Sequence, residues 1–184
     1  MTHAHRVLLG VSASIAAYKA AEVTSKLAQA GVSVTVLMTP NATKFIGAAT
    51  FQALSWNPVF VDQFGGEEST RPEHIDLAEK AELFLIAPAT ANLIGKLASG
   101  IADDMITTTA LAYPRPLLIA PAMNTQMWSN PIVQDNLAKL RRFGHEVFDP
   151  DSGKLACGTV GPGRLAEPEM IVQAVLQRLG VTEP

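Results

Sequence analysis

Four short stretches combine small residues with hydroxyl or amide side chains: Gly10-Val11-Ser12-Ala13-Ser14, Met38-Thr39-Pro40-Asn41, Pro88-Ala89-Thr90-Ala91-Asn92 and Pro121-Ala122-Met123-Asn124. Each follows an aliphatic run. The first offers serine hydroxyls and backbone N–H groups at the start of a helix, which suits a phosphate. The same serines, Ser12 or Ser14, suit ordinary helix capping. The pattern is not G-x-G-x-x-G, and the second stretch has no acidic residue for a ribose hydroxyl. Both facts count against NAD and favour a mononucleotide with one phosphate. Asn92 can cap the next helix or bond a polar ring. Asn124, Gln126 and Trp128 cluster just past a buried run, where polar side chains need partners. An amide there can orient a carboxylate or amide of a ligand. His74 follows Pro72-Glu73. A lone histidine is more often a surface or capping residue, yet its pKa class makes His74 the best general base in the chain. Cys157 is the single cysteine and lies in a glycine-rich segment. A lone cysteine is commonly a small buried hydrophobe. On a flap it can instead deliver a thiol proton to a closed site. One cysteine excludes an internal disulfide framework and a cysteine-rich metal site, and no metal is expected.

These residues must be positioned by alternating strands and helices. Aliphatic runs at Arg6–Val11, Val32–Met38, Val59–Asp62, Leu83–Ala87, Leu117–Ala120 and Glu146–Phe148 read as strands. Helical patterns at Ser12–Ala30, Asn41–Leu54 (capped by Asn41), His74–Ala81, Ala91–Ala112 with a break near Gly100, Asn130–Phe143 and around Ile171–Leu179 separate or follow them. This alternation predicts an α/β fold. It is a three-layer, doubly wound parallel sheet of the Rossmann or flavodoxin-like kind, in one domain over 1–184. Ligands then bind beyond the carboxyl ends of the strands, where the four polar stretches fall. Gln63–Glu73 reads as an exposed loop. Asp149–Pro168, with six glycines and prolines before its final Pro168, reads as an irregular C-terminal flap over the site.

The composition fits this picture. The chain has 184 residues, 48% of them apolar, and a net charge of −3. Such a chain can bury a core, so bulk disorder is excluded. No basic face is available for a nucleic acid, and no 18-residue apolar run is available for a membrane span. A cytoplasmic protein is the expectation. With 27 alanines and 13 glycines, the chain suits close backbone approach and oligomerisation.

Taken together, these stretches resemble the homo-oligomeric flavin-containing cysteine decarboxylases, and most closely their phosphopantothenoylcysteine decarboxylase branch. The likeness spans about Arg6 to Leu179. Its marks are His74-Ile75, Pro88 to Leu93, the complete Pro121 to Trp128 motif, and Ala156-Cys157-Gly158. Thr90 stands where the family has serine, and Leu93 where it has threonine. The resemblance implies FMN near Ala13, Ser14, Ile15, Thr39, Asn41, Phe45, Thr90, Ala91, Asn92 and Ala122. It implies His74 as the base at a substrate cysteine and Asn124 holding the substrate carboxylate or adjacent amide. Cys157 becomes the acid that protonates the reduced intermediate, with Lys154 and Ala156 covering substrate. It also implies trimers, often assembled into dodecamers, with flavin at a subunit boundary.

The implied reaction converts 4′-phosphopantothenoylcysteine to 4′-phosphopantetheine in coenzyme A biosynthesis. A cysteine carboxylate has no electron sink, so flavin oxidation of the thiol to a thioaldehyde creates one. Loss of CO2 gives an ene-thiolate, which is then re-reduced. Peptidyl-cysteine decarboxylases stop at the ene-thiol and do not need Cys157. Flavin prenyltransferases on this fold are not expected to show His74 with the Pro121–Trp128 motif. A non-catalytic flavin-binding regulatory subunit does not account for His74, Asn124 and Cys157 together. Family members are often fused to a phosphopantothenoylcysteine synthetase, which is a possible partner domain or protein.

Overall fold

In a computed structural model that describes residues 5–64 and 71–181, the elements follow the expected alternation. They are β1 (Arg6–Val11), α1 (Ala17–Gln29), β2 (Ser33–Met38), α2 (Ala48–Ser55), β3 (Val59–Phe60), α3 (Glu73–Lys80), β4 (Leu83–Ala89), α4 (Ala91–Ser99), α5 (Met105–Ala112), β5 (Leu117–Pro121), α6 (Thr125–Trp128), α7 (Pro131–Arg142), β6 (Glu146–Val147), β7 (Asp151–Lys154), β8 (Val160–Arg164) and α8 (Pro168–Leu179). Most of the loop expected at Gln63–Glu73 lies outside the described residues.

Six strands form one parallel sheet in the order β3-β2-β1-β4-β5-β6. Strand β4 is buried along its whole length, Leu83 to Ala89, as a central strand covered on both faces must be. Alternate residues feed two cores. Leu9, Val36, Leu85 and Leu118 meet α1, α2 and α8. Leu8, Leu37, Phe84, Ile86 and Ile119 meet α3, α4, α5 and α7. Each fully buried Leu, Ile or Phe contributes about 1.5–3 kcal/mol over exposure.

The strand order reverses direction between β1 and β4, which opens a crevice at their carboxyl ends. Ser12 spans it. Its hydroxyl donates to the Pro88 carbonyl at 2.7 Å and accepts the Thr90 N–H at 2.9 Å. Ser12 is therefore neither a helix cap nor free for a phosphate.

Several expectations need correction. Helix α1 begins at Ala17, because the Ser14 hydroxyl accepts the Ala16 N–H at 3.2 Å and closes a preceding turn. The helix expected over Asn41–Leu54 is broken into a 3-10 turn at Ala42–Lys44 and α2, and Asn41 makes no capping bond. Thr39 accepts the Ala42 N–H in its place, at 3.3 Å. Thr90, not Asn92, caps α4 by accepting the Leu93 N–H at 3.4 Å. The flap is not irregular. Strands β7 and β8 pair antiparallel as a hairpin, with Gly153 opposite Gly161.

The Ser12 clasp is testable. Ser12→Ala orphans the part-buried Thr90 N–H and leaves the Pro88 carbonyl with the Ser12 N–H alone, at 3.2 Å, for a loss of about 2 kcal/mol. Thermal unfolding should fall by roughly 4–8 °C. An unchanged midpoint would show that the clasp contributes nothing.

Candidate active site at the carboxyl edge of the sheet

A cavity of about 640 Å3 opens at the carboxyl edge, on the α1 and α8 side of the sheet. It is walled by the start of α1, the turn after β5 and the β7–β8 hairpin, and its size falls within the usual range for small-molecule sites. It brings together Ser14, Ile15 and Ala122 of the expected flavin set with Asn124, Lys154, Ala156 and Cys157 of the expected substrate and catalytic set.

Backbone contact seats the hairpin. The Met123 N–H donates to the Gly163 carbonyl at 2.9 Å. A Cβ on Gly163 would lie 2.3 Å from the Met123 carbonyl oxygen, and its φ of +133° is one that L side chains rarely adopt. A Cβ on Gly161 would meet the Thr125 side chain at 2.9 Å. The glycines that resemble breakers in the sequence are thus what lets the hairpin lie against the β5 turn.

That seating delivers Cys157 to Asn124. Asn124 divides its amide between two tasks. Its oxygen caps α6 by accepting the Gln126 N–H at 2.8 Å, and its Nδ2 donates to Cys157 Sγ at 3.2 Å. Thr159 Oγ1 lies 3.1 Å from the same sulfur. Bonds from the Thr159 hydroxyl, the Thr159 N–H and the Asn124 amide stabilise the thiolate and hold the thiol below its ordinary pKa. The thiol is exposed, as a group that must reach a ligand has to be.

The other expected residues are distributed differently. Ala13, Thr39, Asn41 and Phe45 lie in the connections after β1 and β2, Thr90 caps α4 and Ala91 and Asn92 open it, and none of them lines this cavity. Leu93 is fully buried in the core of the α3–α5 side, so it offers no ligand contact. His74 sits in the first turn of α3, whose buried Ala78 belongs to that same opposite core. One chain therefore joins Asn124 to Cys157 but keeps His74 across the sheet from them. Beside His74, Glu73 Oε2 is buried without a hydrogen-bond partner.

Sequence reading passed over Tyr18, Lys19 and Arg164, which also line the cavity, and Thr159, which holds the thiol. Lys19 hides on an alanine-rich helix and Arg164 follows a glycine–proline run. Only the spacing of Lys154 and Arg164 around a hairpin, once the hairpin is known, would bring them to notice.

The arrangement is a nucleotide-binding type of α/β sheet with a cavity at its carboxyl edge and a cysteine presented there by a hairpin. The Flavoprotein family matches residues 1–180, and the chain belongs to that family. It is 52% identical over 173 residues to the coenzyme A biosynthesis bifunctional protein CoaBC of Bacillus subtilis (strain 168), covering 94% of this chain and 43% of that one. The chain thus spans less than half the length of that relative. It is 47% identical over 176 residues to a probable phosphopantothenoylcysteine decarboxylase of Streptococcus mutans, covering 95% of this chain and 98% of the relative. Among solved structures, it is similar to a cysteine-to-serine mutant of PPC decarboxylase complexed with pantothenoylaminoethenethiol. The TM-score is 0.86 and the identity 30%, over 97% of this chain and 100% of that one. It is also similar to the FMN-dependent cysteine decarboxylase SpaF, with TM-score 0.81 and 34% identity, over 95% and 97% of the two chains.

The thiol environment yields a pH prediction. Thr159→Val removes the largest influence that lowers the Cys157 pKa. The pH profile of Cys157 alkylation should move to higher pH in this variant. A profile that does not move would remove Thr159 from the account.

Proposed function

We propose that this chain decarboxylates 4′-phosphopantothenoylcysteine to 4′-phosphopantetheine with bound FMN. The observation that carries this reading is the 3.2 Å contact between Asn124 Nδ2 and Cys157 Sγ at the mouth of the cavity. A reaction that stopped at the ene-thiol would not call for a proton donor there. The cavity also suits a flavin. Small Ala16 and Ala122 leave room at its wall, and exposed Ile15 and Tyr18 offer apolar surface that a flat ring would cover.

In this reading Ser14, Ile15 and Ala122 touch the cofactor within the cavity. Ala13, Thr39, Asn41, Phe45, Thr90, Ala91 and Asn92 hold the remainder along the neighbouring turns. FMN, when bound, supplies a hydride acceptor that later returns the hydride. Asn124 orients the carboxylate or adjacent amide of the substrate, so that the bond to be broken is held in place. His74 takes the proton released when the substrate thiol is oxidised. Lys154 and Ala156 close over the substrate and exclude water. Cys157 gives its proton to the carbon that must become saturated, and its lowered pKa makes that transfer easier.

His74 reaches this site from a second copy of the chain, which makes self-association part of the function. Trp56, 91% exposed, and Phe64, 90% exposed, support this reading, because aromatic side chains so open to water gain from an interface. We propose a trimer, which can assemble further to a dodecamer, acting in the cytoplasm beside a phosphopantothenoylcysteine synthetase domain or protein. Among the described residues, no helix is long and apolar enough to cross a membrane.

The decisive measurement is product mass after incubation of the FMN-loaded protein with 4′-phosphopantothenoylcysteine. Loss of CO2 alone is expected, and no mass change would refute the substrate. His74→Asn should retain flavin and lose turnover by at least about 100-fold. Cys157→Ser should accumulate an unsaturated thiol; saturated product at the wild-type rate would make Cys157 a bystander. Mixing the two variants under conditions that exchange subunits should restore some saturated product. Failure to complement, with exchange demonstrated, would place both groups within one chain.

A further inference from the structure

The cavity wall carries three cationic side chains, Lys19, Lys154 and Arg164, and no carboxylate. This holds in a chain whose net charge is −3. Two of the cations, Lys19 and Arg164, are also held in place by the fold. Only 13% of the Lys19 side chain is exposed, and its Nζ lies 3.0 Å from Glu167 Oε2. Arg164 Nη2 lies 3.2 Å from the other oxygen of the same carboxylate. Glu167 opens α8 but its side chain makes no capping bond there, so its carboxylate is given to the two cations. The Arg164 guanidinium passes over Gly153, where a Cβ would lie 2.6 Å from Nη1. One carboxylate shared between two cations, with a third cation at the rim, leaves the cavity positive.

Resting on the proposed substrate, we infer that Lys19 and Arg164, aligned by Glu167 and joined by Lys154, bind the phosphate of 4′-phosphopantothenoylcysteine and set the preference for the phosphorylated substrate. A phosphomonoester carries about −1.5 to −2 charges at pH 7, which matches what the three cations leave uncompensated. The substrate carboxylate is the poorer match. A cation paired to it would stabilise the ground state relative to the transition state that expels CO2, and so would slow the reaction. Binding energy is better placed at the end of the substrate that does not react. The phosphate of FMN has the same chemistry, so the test must separate the two.

The test compares kcat/KM of the FMN-loaded protein on 4′-phosphopantothenoylcysteine and on pantothenoylcysteine, in wild type and variants. Taking the ratio of the two substrates cancels any general loss from folding or cofactor loading. The ratio should favour the phosphorylated substrate in the wild type. It should fall about 10- to 100-fold in Lys19→Met and in Arg164→Met. Arg164→Lys keeps the charge and should retain most of the ratio. Gly153→Ala, which displaces the guanidinium without deleting it, should lower it. A ratio that persists in both Met variants overturns the inference, as does a wild type without preference. Loss of flavin affinity with the ratio intact also overturns it and gives the cations to the FMN phosphate. Inactivity of the wild type on both substrates instead overturns the substrate reading, and this inference with it.

Discussion

The hydroxyl of Ser12 sits where the sheet changes direction, and the ligand-facing parts of the molecule hang from the turns it joins. A sheet that runs outward from β1 on one side and from β4 on the other leaves a gap between their carboxyl ends. A hydroxyl can donate and accept at once, and Ser12 does both across that gap. The geometry then propagates. Thr90 opens α4, and the Ala89 carbonyl accepts the Ala122 N–H at 3.0 Å. This fixes the β5 turn on which Asn124 stands. Asn124 in turn receives the hairpin cysteine.

Two electrostatic settings coexist within this frame. At the hairpin tip, neutral donors from Thr159 and Asn124 favour a thiolate. Deeper in the wall, full charges are held in place by a carboxylate that does not itself line the cavity. Partial dipoles tune a proton where chemistry is expected, and whole charges serve recognition, where strength matters more than pKa.

Much of this order is legible in the sequence, for reasons that differ by element. The strands declare themselves because a doubly covered parallel sheet demands unbroken apolar runs, such as Leu83–Ala87. The boundaries of α1 and α2 are not legible, since Ser14 and Thr39 spend their hydroxyls on turns that no periodicity announces. The hairpin hides for another reason. Gly153, Gly161 and Pro162 lie in its paired strands, and such residues ordinarily mark breaks. Their purpose is visible only against Thr125, Met123 and Arg164. The candidate site divides in the same way. Asn124 and Cys157 stand out by type and context, and the fold joins them. The separation of His74 depends on which face of the sheet α3 covers, a property of the crossover that residue spacing does not carry.

The hairpin is anchored at its base and open at its tip. Gly161 and Gly163 touch the β5 turn closely. The tip from Leu155 to Thr159 is closed by its own backbone bond, Leu155 N–H to Thr159 carbonyl at 2.8 Å, and its residues other than Leu155 are exposed. Evolutionary freedom is therefore unequal along a single short loop. The base admits almost no drift, whereas the tip residues other than Gly158, whose φ of +88° favours glycine, can be rewritten without unseating the hairpin. On the proposed role of Cys157, a lineage on this scaffold can exchange one chemical outcome for another by editing the tip alone, and inherit the docking unchanged.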